Sequence, residues 1–148
     1  MSQFQTVKPL DNLLVSRFKG ASEPELHIAM SDLVFMMNEG ASGAILKSIC
    51  KNVPKSIIIR AVGSDNTNFS KLFKRKLSKQ QTDDVYDLST LWVEISRFFG
   101  NDSDMIAEWL NTPIPALENN RPEDLLDTSF GRQHVKLCLE AMKFGDFA

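Results

Sequence analysis

Cysteine is scarce: Cys50 and Cys138 are the only two in 148 residues. That excludes a disulfide framework and a thiolate-rich metal site. Both thiols sit in apolar, helix-like surroundings far apart in the chain, so buried free thiols in a reducing cytoplasm are expected. Histidine is as rare, and His27 and His134 stand alone, without the Cys/His spacing of a zinc site. The seven glycines form no phosphate loop and no nucleophile elbow. The adjacent acids Asp83-Asp84 and Glu123-Asp124 fall where helix N-termini are expected, a better use for them than an acid/base pair. No catalytic residue, metal or cofactor is expected from these patterns. No apolar run reaches the eighteen or so residues that cross a bilayer. The start, Met-Ser-Gln-Phe-Gln-Thr, has neither the basic nor the apolar region of a secretory signal, so export is not expected.

Charge is present but uneven. Residues 1–65 carry seven Lys or Arg against six Asp or Glu. Residues 66–82 carry five basics (Lys71, Lys74, Arg75, Lys76, Lys79) and no acid, and residues 83–148 carry five basics against thirteen acids. A basic band beside an acidic C-terminal half suggests one contact with a polyanion and a separate one with a protein, or two ordinary solvated faces.

Helical periodicity dominates, so the fold class is all-α. Leu10, Leu13, Leu14 and Phe18 make one stripe; Leu26, Ala29, Met30, Leu33, Met36 and Met37 make a second, widened by Ile28, Val34 and Phe35. So broad an apolar surface serves a core, a second copy of the chain, or both, and self-association through residues 10–37 is expected. Residues 38–43 read as a linker and 44–52 as a short helix. Residues 55–62 contain Ile57-Ile58-Ile59, which reads as a buried helix for want of a partner strand. After the turn at Gly63-Ser64-Asp65, residues 66–76 read as a helix burying Phe69, Leu72 and Phe73 and presenting Asn68, Ser70, Lys71, Lys74, Arg75 and Lys76. Helix, turn and basic helix is the order of a helix-turn-helix, which makes these six residues the candidate DNA contacts. Residues 82–99 form the longest helix, ended by Gly100. The expected division is residues 1–43 (N-terminal helices, dimerisation), 44–82 (helix-turn-helix-like region) and 83–148 (a small helical domain).

The last forty residues are the most informative. Asp102 caps a short helix with Met105, Ile106, Trp109 and Leu110 on its apolar face, and Thr112-Pro113 ends it. Pro122 suits the first position of another helical turn, and Thr128 caps a final helix built on Val135, Cys138, Leu139 and Met142. The matching pieces are Trp109-Leu110, Pro113, Ala116-Leu117, Pro122, Leu125-Leu126, Thr128, Gly131-Arg132, Gly145, Phe147 and Ala148. In this order they resemble the toxin-binding domain shared by the Xre, MbcA and ParS antitoxins. Three departures stand out: Glu118-Asn119-Asn120 where the family often has two glycines, Arg121 where it often has Thr, and Ser129 where it often has Glu.

The resemblance implies an antitoxin whose partner is a RES-domain, NAD-consuming toxin. It also implies binding to the promoter of its own operon and a homodimer within a hetero-oligomeric complex. The implied toxin contacts are Trp109, Asn111, Pro113, Arg132, Lys136, Phe144, Gly145, Asp146, Phe147 and Ala148, with the C-terminal tail covering the toxin's pocket. A DNA-binding repressor without a toxin partner is the alternative.

Overall fold

Pro9 opens α1 (Pro9–Lys19), where its missing N–H is no loss, and Leu10, Leu13, Leu14 and Phe18 are buried at helical spacing. The computed structural model describes residues 8–20 and 27–145. α2 (Met30–Glu39) follows, then the short α3 (Ile45–Ile49) and α4 (Lys55–Ala61). All three isoleucines of α4 are buried, so the run is a helix, as expected.

α5 (Lys79–Phe98) is the spine against which α1, α2, α4 and α7 pack. It begins three residues earlier than the apolar spacing suggests, because Ser78 and Gln81 form a capping box. The Gln81 N–H donates to Ser78 Oγ (3.0 Å) and the Ser78 N–H to Gln81 Oε1 (2.9 Å). α5 crosses the expected boundary at residues 82/83, and the buried apolar residues form one cluster from Leu10 to Leu139. Among the described residues no helix is long and apolar enough to cross a membrane.

Two expectations need correction. Residues 38–43 are not a free linker. Asn38 and Glu39 complete α2, and the next residues are pinned on several sides. The Ala41 N–H donates to Thr82 Oγ1 (3.0 Å), the Ser42 N–H to the buried Asp11 carboxylate (3.0 Å), and the Leu77 N–H to the Ala41 carbonyl (2.8 Å).

Nor are residues 66–76 an α-helix: the helical part is the six-residue 3₁₀ segment Phe69–Lys74. Phe69 and Leu72, its buried residues, are three apart, which suits three residues per turn. Gly43 lies close against this segment. Its N–H donates to the Arg75 carbonyl (2.8 Å), and a Cβ there would overlap the carbonyls of Leu72 and Arg75.

Candidate functional site

The C-terminal site is assembled by local caps. Asp102 accepts from the Asp104 and Met105 N–H groups (3.1 and 3.2 Å) and starts α6 (Ser103–Leu110). Ile106 and Leu110 of α6 are buried, Met105 is exposed, and Trp109 is half-buried with its ring 5.5 Å from that of Phe99. Two 3₁₀ turns follow, Pro115–Leu117 and Pro122–Leu125, and the second packs against both α6 and α7. Thr128 caps α7 (Ser129–Lys143), accepting from the Gly131 N–H at 3.1 Å.

The departures from the family pattern acquire reasons here. Glu118 and Asn119 both adopt left-handed backbone (φ 57° and 65°), the conformation glycine takes without strain. Arg121 caps nothing. Its guanidinium pairs with Asp124 (2.9 Å) and donates to Asn111 Oδ1 (3.1 Å), tying this loop to the end of α6. The hydrogen bond from Arg121 holds the Asp124 carboxyl below the ordinary carboxylate range.

Gly131-Arg132 is structural. A Cβ at Gly131 would overlap the Leu125 carbonyl, so glycine is what lets α7 start against the preceding turn. Arg132 was expected to meet a partner; instead its side chain is 2% exposed. It donates to Asp84 (2.6 Å), Asp87 (2.7 Å) and the Leu126 carbonyl (2.9 Å). The guanidinium fork clamps α7 onto α5, with Nε, Nη1 and Nη2 each donating within the fold.

With Val135, Cys138 and Leu139 buried, the opposite side of α7 is unusual. Phe130 is 75% exposed, Leu137 49% and Phe144 84%. At 100° per residue, positions 130, 134, 137 and 144 fall within about 80° of one another, so they form one stripe. His134 continues it, its ring 4.6 Å from that of Phe130. Beside the stripe a groove of about 270 Å³ opens between α7 and the 3₁₀ turns, walled by Leu117, Leu125, Phe130 and His134. Together they expose a row of large apolar side chains on one face of α7. Phe130, His134 and Leu137 were missed in the sequence, although their spacing is visible there.

Of the remaining expected contacts, Pro113, Lys136, Phe144 and Gly145 are exposed, and Lys136 lines a groove of about 450 Å³ with Asp87, Glu94 and Phe130. The Asn111 side chain is engaged internally, by Arg121 and the Ala107 carbonyl. Asp146, Phe147 and Ala148 lie outside the described residues. Cys138 is buried and Cys50 half-buried, both unpaired, and desolvation pushes both thiols up.

In the basic band, Ser70, Lys71, Lys74, Arg75 and Lys76 are exposed. Asn68 is drawn back by Asp65, which accepts from its backbone N–H (2.8 Å) and its amide (3.0 Å); these bonds hold the Asp65 carboxyl below its usual range. Lys76 reaches Glu39 at 4.0 Å.

The described residues thus form an all-helical fold with an exposed apolar stripe in its acidic half. Residues 97–145 match the family described as the antitoxin Xre/MbcA/ParS C-terminal toxin-binding domain. The resemblance read from the motifs of the last forty residues is thereby borne out over that stretch. The match supports an antitoxin carrying a toxin-binding domain. No curated protein matches the chain.

Proposed function

We propose that this chain neutralises a RES-domain, NAD-consuming toxin by covering its active site with residues 83–148. We also propose that it represses its own operon by binding promoter DNA through residues 44–82. It acts in the cytoplasm as a homodimer within a hetero-oligomeric complex, by binding and not by catalysis. The observation that carries the toxin reading is the exposed Phe130–His134–Leu137–Phe144 stripe inside the matched region. In this reading Gly145 and the residues after it, Asp146, Phe147 and Ala148, which lie outside the described residues, add to the same contact, with the Asp146 carboxylate standing in for pyrophosphate charge. The test is co-expression with a RES-domain toxin from the same genome. The full chain should restore growth and cellular NAD, and a folded chain lacking Phe147 and Ala148 should not. Full neutralisation by the truncated chain would place inhibition outside the tail.

The repressor reading rests on Lys71, Lys74 and Arg75, exposed and with no ion pair to a described residue. Phosphate contacts make binding salt-dependent, and losing three of them shallows the salt slope by about three. Lys71→Glu, Lys74→Glu and Arg75→Glu together should abolish retardation of the operon promoter. Unchanged retardation by the folded triple variant would rule the band out as the DNA contact.

A further inference from the structure

Away from the α7 stripe, a pocket of about 350 Å³ opens between the C-terminal end of α1, the turn at residues 50–54, α5 and α6. Small-molecule sites fall in this size range, about 300–1,000 Å³, and combine apolar walls with a few placed polar groups. Here Trp92 of α5 and Ile106 and Leu110 of α6 supply the apolar wall, an edge of the core that the pocket leaves open. Lys19 and Lys51 line it as well. Both are exposed, and neither forms an ion pair with a described residue. No described acid lines the pocket. Asp102, next in the chain to the lining residue Ser103, is engaged in capping α6, where it accepts from the Asp104 and Met105 N–H groups.

We infer that this pocket binds a small amphipathic anion, a compact apolar body carrying one carboxylate or phosphate. The apolar body removes water from the wall of Trp92, Ile106 and Leu110, which is favourable in proportion to the area covered. The anionic group takes the two unpaired ammonium groups, and Asn52 and Ser103 bring further donors to the same space. Neither half of such a ligand suffices alone: a bare anion leaves the apolar wall wet, and a neutral apolar body leaves both lysines unmatched. The pocket draws Ser103, Ile106 and Leu110 from inside the matched region 97–145, and Lys19, Lys51 and Trp92 from the chain before it. A ligand that binds only the folded chain therefore stabilises the junction between the toxin-binding region and the helices that precede it. This site is separate from the stripe and from the basic band, and stands whether or not either meets its proposed partner.

Calorimetric titration of the full chain with 4-phenylbutyrate tests the inference. The probe should bind saturably at one site. Its neutral counterpart 4-phenylbutanol should bind at least tenfold more weakly, a difference of about 1.4 kcal/mol, and acetate should give no saturable heat. Lys19→Glu with Lys51→Glu should weaken 4-phenylbutyrate at least tenfold. Ala107→Trp, at an exposed position lining the pocket, should remove its binding by filling the space. Circular dichroism should be unchanged in both variants, and Phe130→Ala with Phe144→Ala should bind the probe as the unmodified chain does. Absence of saturable binding up to about 10 mM, weaker than ordinary small-ligand affinities, would overturn the site. Equal affinity for the alcohol and the acid would overturn the anionic class, and binding that survives both pocket variants would overturn the location.

Discussion

Arg132→Ala should lower the unfolding free energy by about 3 kcal/mol, the low end of what removing one partner of a buried ion pair costs. The low end applies because Asp87 is half-exposed (51%) and recovers water when the arginine is gone, whereas Asp84, at 17%, recovers less. The Leu126 carbonyl also loses its donor. Arg132→Lys should recover only part of the loss, since one ammonium does not reproduce a fork that reaches two carboxylates and a carbonyl. Asp87→Asn should cost roughly 1 kcal/mol, in line with a hydrogen bond to a more exposed group. Urea unfolding followed by circular dichroism reads all three. A change below about 0.5 kcal/mol for Arg132→Ala, the range of ordinary surface substitutions, would contradict the clamp.

Phe130→Ala combined with Phe144→Ala should weaken toxin binding by roughly 100-fold or more. Burying each phenylalanine against the partner contributes about 1.5–3 kcal/mol, and each 1.4 kcal/mol is tenfold in affinity. Both rings are largely exposed, so neither substitution should shift the urea midpoint appreciably. This separation distinguishes the stripe from Arg132, whose loss acts through folding. Calorimetric titration of toxin with the double variant reads the affinity directly. Binding within about threefold of the unmodified chain, under 1 kcal/mol, would remove the stripe from the interface.

What the sequence disclosed was local. Asp102 and Thr128 cap helices through hydrogen bonds two or three residues away, and Pro122 opens its turn by its own ring geometry. The core stripe of α7 was legible by its spacing, but it drew attention from the second stripe at 130, 137 and 144, which was equally periodic. Long-range contacts were not legible. Arg132 is spent on carboxylates 45 and 48 residues away, and nothing near it in the chain marks it as buried. The 3₁₀ segment Phe69–Lys74 packs against Gly43, which lies about thirty residues upstream, a contact that local periodicity does not reveal. The asymmetry of charge was legible; which charged groups face outward was not.

The central claim is that the C-terminal half silences a toxin by docking on it. The most direct measurement is the rate of NAD consumption by the purified RES-domain toxin of the proposed function, titrated with the full chain. The rate should fall to background as the chain reaches stoichiometric equivalence, and the Phe130→Ala, Phe144→Ala variant should need a large excess to approach the same end point. A toxin that consumes NAD at its full rate with the folded chain present at saturation would contradict the account.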